Sequence, residues 1–435
     1  MSELDPYMPS VGSPEFAVER TGLDIHYHPA TGRLGAEAAL DIRMRTASEA
    51  IDLDLEGLRV GRVALDGRAW RFSQEPGILT VPGPGLGEPG TAHRMTVAYS
   101  GFPSTDEGPW GVVGWLRRGD NAAVVGRPDS GPHWYPCNAT LGARAPFQLT
   151  VTTAPELAVI SGGRLVSARE AAGSKVWVFE ESEPITPSAA ALWIGHYTVE
   201  KLGGPERLSP VLAYPKDAPR PDHPSISRHA ELFDFLVRLL GPYPFAAYSL
   251  VVEDSPSPRA RTAHASLAIH PRELATPLRD AVAIGLASQW LAVSVTPRLW
   301  RDAWCATGMS RYAAWLWIAH EGRNTVDGIA HAAYAALADL PQNVVLSDPG
   351  LARAFDPRLP IRGALALHSL RLGLGDEAFF AMFADWASGR PYSASSTPGF
   401  VAHAARFAPA PAAADAVTAR LDAWLNRPAL PACPG

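Results

Sequence analysis

The strongest constraint in this sequence is a change of periodicity part-way along the chain. From about residue 15 to 200 the apolar residues come in short β-type runs broken by turn signals. After a proline-dense stretch, Pro205–Pro224, they recur at helical spacing. The β-type runs are Ala50–Leu55, Arg59–Leu65, Ala69–Phe72, Gly77–Val81, His93–Tyr99, Phe147–Val151, Lys175–Glu180 and Ala191–Tyr197. Pro82–Gly90 and Arg118–Gly131 read as surface loops. The helical runs are Ser225–Leu240, Pro277–Val293, Cys305–His320, Gly328–Leu340, Arg362–Leu372, Glu377–Trp386, Thr397–Phe407 and Ala412–Leu425. A β-rich front and an α-rich back predict segregated α+β domains and not alternating βαβ units. The expected division is an antiparallel β domain over residues 1–203 and a mostly helical domain over 204–435, with the cleft between them as the default ligand site.

Composition narrows the partners. With 47% apolar residues in 435 the chain has ample material for a packed core, and disorder is excluded. Acidic residues exceed basic ones by six, lysine occurs only at Lys175, Lys201 and Lys216, and there is no basic run. The electrostatic footprint of a nucleic-acid or anionic-membrane binder is missing. Cys137, Cys305 and Cys433 are odd in number and scattered, which fits neither a disulfide framework nor a CxxC metal site. With no basic-then-apolar leader at Met1-Ser-Glu-Leu and no apolar run of membrane-spanning length, the expected setting is the cytoplasm.

Several motifs carry a family likeness. Ser294-Val-Thr-Pro-Arg-Leu-Trp-Arg-Asp-Ala-Trp304, followed by Tyr312-Ala-Ala-Trp-Leu-Trp317, resembles the stretch after the zinc helix of the aminopeptidase N and leukotriene hydrolase family of gluzincin metallopeptidases. His133-Trp-Tyr-Pro-Cys-Asn138 with Arg144-Ala145 is similar to that family's Trp-Phe-Pro-Cys signature, and Asp5-Pro-Tyr7 with Leu23-Asp-Ile-His-Tyr27 to its opening strand. Gly363-Ala-Leu-Ala-Leu-His-Ser-Leu-Arg371 and Gly375-Asp-Glu-Ala-Phe-Phe380 resemble its later helices. The likeness covers nearly the whole chain in order. It implies an N-terminal β-sandwich and a thermolysin-like helical domain, with the family's C-terminal superhelical domain absent.

The same likeness locates the chemistry and finds it replaced. The family holds zinc with two His one helical turn apart, where i and i+4 share a face, and a Glu from the next helix; the Glu of HExxH is the general base. Here the first His position is Ile284, the base Gly285 and the second His Ser288; the third ligand, nineteen residues on, is Thr307. Ile, Ser and Thr supply no imidazole, carboxylate or thiolate, so no metal and no other cofactor is expected. The Glu that grips a substrate's amino group corresponds to His264 in Arg261-Thr-Ala-His-Ala265, and the transition-state Tyr to Pro360, just before Arg362-Gly363. His320-Glu321 has no second His at i+4 and does not restore the motif.

What remains is a set of candidates, each with two readings. Arg259, Arg261 and His264 place cationic and titratable groups where the family uses a carboxylate, so Arg261 and His264 either orient an anionic or carbonyl-bearing ligand or belong to a solvated loop. Ile284, Gly285, Ser288 and Thr307 form a more apolar floor, and a mid-helix glycine, costing about 1 kcal/mol against Ala, signals close approach of a ligand or neutral drift. Cys305 reads as a nucleophile or as a buried inert thiol, and Ser288 as a nucleophile without a base or as a helix serine bonded to its own backbone. His133 and Arg362 are further substrate-binding candidates, His133 against a packing role beside Trp134. Glu253 and Asp254, ending the strand Ser249–Glu253, are acid/base groups or solvated carboxylates. The expectation is a peptidase fold repurposed as a metal-independent enzyme on a small molecule in specialised metabolism, by cyclisation, isomerisation or hydrolysis. The alternative is a non-catalytic protein that binds a peptide, metabolite or protein partner.

Overall fold

The structure, a computed structural model, describes residues 4–83, 87–108, 111–126, 130–253, 263–264, 267–271 and 281–435. The chain forms two compact units: residues 1–221 with 245–273, and residues 222–244 with 274–435. The first unit extends past the expected boundary at 203/204. The reason is a strand inside the proline-rich stretch, Val211–Pro215, which pairs antiparallel with Tyr197–Lys201 and parallel with Ser249–Glu253. Its prolines sit at the strand's margins, where a missing N–H costs no ladder bond.

In the first unit the largest sheet runs, in spatial order, through Arg164–Ala171, Ser174–Ile185, Ala145–Thr153, Phe16–His28, Arg33–Met44, Ala92–Gly101, Arg59–Leu65 and Arg68–Trp70. Its pairs are antiparallel except Phe16–His28 with Ala145–Thr153, which are parallel. A second sheet joins Ala158–Ser161, Leu192–Gly195, Asn121–Val125, Gly111–Arg118 and Thr105–Gly108. Asn121–Val125 lies in the stretch expected to be a loop; four of its five residues are buried, so packing overrode the Gly-rich flanks. Ala123, Val125, Ile160, Trp193, Tyr197, Ala213 and Val251 form one apolar cluster in this unit.

The second unit is helical: α1 Pro224–Ser227, α2 His229–Leu240, α3 Ala281–Ser288, α4 Ala303–His320, α5 Val326–Ala338, α6 Arg358–Leu374, α7 Asp376–Ser388, α8 Thr397–Ala405 and α9 Pro411–Leu425. Local signals set several ends. Thr325 and Ser396 cap α5 and α8 by accepting from Gly328 N and Gly399 N, at 3.0 and 3.2 Å. Gly375, at φ 80°, separates α6 from α7. Helices α3 and α4 are apolar on every side and buried along almost their full length, the signature of central helices. Helix α4 lies against α6 at Gly308 and Gly363, where a Cβ on Gly308 would stand 2.9 Å from Gly363 Cα. Among the described residues no helix is long and apolar enough to cross a membrane.

Candidate functional site

The candidate site is built on α3 and α4. On these largely buried helices Ile284, Gly285 and Thr307 are partly exposed, as are Arg311 and Ala319 farther along α4. Ile284 and Ser288 are one turn apart on α3, and Thr307 and Ser310 one turn apart on α4, so each pair shares a face. The two faces meet at Ser288 Oγ and Ser310 Oγ, 3.1 Å apart. Ser310 was not singled out from sequence; its signal is the i+3 spacing from Thr307.

The hydroxyl hydrogens on this seam are directed into the protein. Ser288 Oγ donates to Ile284 O at 2.7 Å and shares its hydrogen with Ser310 Oγ, whose own hydrogen goes to Ala306 O at 2.8 Å. Thr307 Oγ1 donates to Ala303 O at 3.1 Å. Each is the backbone bond that a helical Ser or Thr makes to i−4, and it leaves the oxygens as acceptors only. Ser288 is therefore placed as a helix-bonded serine without a base against it.

Three other candidates are given different work by the structure. Arg362 is not turned toward a substrate: its buried guanidinium donates through Nε to Trp424 O at 3.0 Å. Its terminal nitrogens reach Val344 O, Pro428 O, Arg427 O and Ala429 O, so all five N–H groups hold backbone carbonyls of the C-terminal segment and its neighbour. Burial without a counterion pulls its pKa down to about 10. Cys305 is buried, and desolvation with the nearby Asp302 carboxylate pushes its thiol well up, toward the inert form. It sits by Thr397, whose N–H and hydroxyl both donate to Asp302 Oδ1 at 2.8 Å. His133 is buried within the β unit, 3.6 Å from Asp106, and burial lowers its pKa.

Its neighbours in the same motif are likewise structural. Trp134 and Tyr135 pack on each other and on Phe147, and Tyr99 Oη donates to the Trp134 carbonyl at 3.0 Å. His264 falls in the short strand Ala263–His264, paired with Leu267–Pro271. Its side chain, that of Glu253, and the whole of Asp254, Arg259 and Arg261 lie outside the described residues.

Together these features define a class: the chain has the two-domain fold of the M1 zinc metallopeptidases, a mainly antiparallel β domain followed by a largely helical one. It superposes on the M1 zinc metallopeptidase from Deinococcus radiodurans with a TM-score of 0.90 at 25% identity, over 99% of this chain and 98% of that one. A mutant of that protein bound to a Tyr-Ser-Ala substrate matches with a TM-score of 0.90 at 24% identity, over 99% of both chains. Native yeast LTA4 hydrolase matches at 0.76 and 18% identity, over 100% of this chain and 70% of that one. No protein family model matches the sequence, and neither does any curated protein.

Zinc is the metal this fold class implies, and the seam does not fit it. A zinc site draws on imidazole, thiolate or carboxylate donors. Ile284 offers no donor atom, and the Ser288 and Thr307 hydroxyls are neutral groups already bonded to their own helices. Among the described residues no three His, Cys, Asp or Glu side chains gather as a ligand set.

Proposed function

We propose that this chain is a metallopeptidase-scaffold protein that works without zinc, as a metal-independent enzyme on a small molecule in specialised metabolism. The carrying observation is the α3–α4 seam. At the three positions where the family's likeness places metal ligands stand Ile284, Ser288 and Thr307, with both hydroxyl hydrogens held by helix carbonyls. The seam keeps partly exposed positions at Ile284, Gly285 and Thr307, as a site that still meets a ligand requires. Its floor offers an apolar surface edged with acceptor oxygens, suited to cyclisation, isomerisation or hydrolysis steered by pocket shape, with Arg261 and His264 orienting an anionic or carbonyl-bearing group. A cytoplasmic setting accords with the scattered cysteines.

The second reading is a non-catalytic binder. It is favoured by the structural neighbours, among which mutants of the two-domain peptidase hold L-tryptophan, L-arginine or a tripeptide. On this reading the occupant is a peptide or an amino acid.

The test is metal analysis of the purified chain, an aminoacyl-amide substrate panel, and native mass spectrometry for a co-purifying compound. The expected result is no stoichiometric metal, no aminopeptidase turnover and a bound or turned-over small molecule. Stoichiometric zinc with peptide turnover overturns the proposal. A captured peptide that is returned unchanged selects the second reading.

A further inference from the structure

A second buried polar cluster in the helical unit joins α4, α5 and α6 through residues other than those of the α3–α4 seam. His368, on α6, is almost fully enclosed, yet both ring nitrogens face titratable groups on other helices. Nδ1 is 3.3 Å from the phenol oxygen of Tyr312 on α4. Nε2 is 3.3 Å from Asp327 Oδ1 on α5, within ion-pair range but off the line of a hydrogen bond. The Asp327 side chain is 69% exposed, so the chain of groups runs from solvent to a phenol with no exposure at all.

Counting hydrogens fixes the protonation state that the packing accepts. Tyr312 is ringed by Trp315, Phe379 and Phe383, with ring centroids 5.6 to 6.4 Å away. Among the described residues the other polar group bonded to the phenol, Arg371, offers donors only. Its guanidinium is clamped to Asp376 at the start of α7, with bonds of 2.7 and 2.8 Å. The phenol hydrogen therefore goes to His368 Nδ1, which must be unprotonated to receive it, and Nε2 carries the ring hydrogen. A second proton on the imidazole places two hydrogens between Nδ1 and the phenol oxygen and breaks that bond. It also adds positive charge beside Arg371 and near His331 on α5, while drawing the ring toward the Asp327 carboxylate.

We propose that His368 is an acid-sensitive clasp: neutral, it ties α4 to α6 through Tyr312; protonated, it turns to Asp327 on α5 and releases that tie. Burial supports the neutral form by holding the His368 pKa below its ordinary value, with Arg371 and His331 acting in the same sense and Asp327 opposing. The sign follows. A histidine depressed in the folded state contributes stability that is fully present above its unfolded value of about 6.5 and is lost as pH falls below it. Because α4 also carries Thr307 and Ser310, acidification loosens one wall of the seam. The inference does not depend on what the seam binds.

The experiment is the melting temperature of the full chain from pH 8 to pH 5, for the natural sequence, His368→Gln and Asp327→Asn. The natural chain is expected to lose about 3 °C more than His368→Gln across that range. Asp327→Asn, which removes the carboxylate that receives the charged ring, is expected to steepen the loss. Parallel curves for the natural chain and His368→Gln overturn the proposal. If His368→Gln does not fold, the surface variant Asp327→Asn decides, and an unchanged slope overturns it.

Discussion

The β unit and the α3–α4 seam of the helical unit use buried polar groups in opposite ways. In the β unit they bridge segments distant in sequence. Asp54 accepts from Gly12 N through one oxygen at 3.0 Å and from Ala139 N through the other at 2.8 Å, and its backbone exchanges two hydrogen bonds with Cys137. Asn138 accepts from Ser13 N at 3.1 Å and donates to Ser13 O at 2.8 Å. Gly12, at φ 73°, passes so close that a Cβ would meet Thr140 N at 2.7 Å. On the α3–α4 seam the polar groups are hydroxyls bonded to their own helices, joined across only by Ser288 and Ser310. Where this chain's sequence resembles the family's motifs, as in His133–Asn138, the residues hold the fold together. Where it departs, as at Ile284, Ser288 and Thr307, they have no such task. In such an arrangement different residues carry the fold and the candidate site.

The sharpest way to break this comparison is to put the chemistry back. Ile284→His, Ser288→His and Thr307→Glu together are expected to take up about one zinc per chain, measured by elemental analysis, because three such ligands with an open position make a catalytic-type site. A triple variant that folds but stays metal-free would show that the seam does not bring these positions to a common point. Next in size is Arg362→Leu. Leaving five inward-facing carbonyls without a donor is expected to cost about 3–5 kcal/mol in chemical denaturation. A loss of ligand binding at unchanged stability would instead return Arg362 to the substrate. Asp54→Ala strands two partly buried N–H groups in the β unit, and about 2–3 kcal/mol is expected by the same measurement. Ser288→Ala should be mildest, within about 1 kcal/mol, since it removes a bond internal to one helix and one shared hydrogen. A larger cost would mean that the seam is braced as the β unit is.

Much of the fold was legible along the chain. The switch from period-2 runs to helical spacing located every helix from α4 onward to within a few residues, because each buries an apolar face against its neighbours. Arg33–Met44 left little trace, being rich in Ala and poor in β-branched residues. Its register is dictated by the strands on either side, Phe16–His28 and Ala92–Gly101. The return of residues 245–273 to the β unit was invisible too, since the parallel pairing of Ser249–Glu253 with Val211–Pro215 is a non-local event. At the site, residue identity alone established that Ile284, Ser288 and Thr307 cannot supply zinc ligands, whatever their placement.

What a sequence determines by itself is chemical inventory and local periodicity, because donor type, charge and the spacing of apolar residues are properties of the chain alone. Only the tertiary structure decided where each hydrogen goes. Arg362 and Cys305 sit in the helical region where a site was expected, but the packing of α6 against the C-terminal segment and of α4 near Thr397 turned both inward. A side chain's partner depends on which distant segments fold against it, and that cannot be read from its neighbours in the chain.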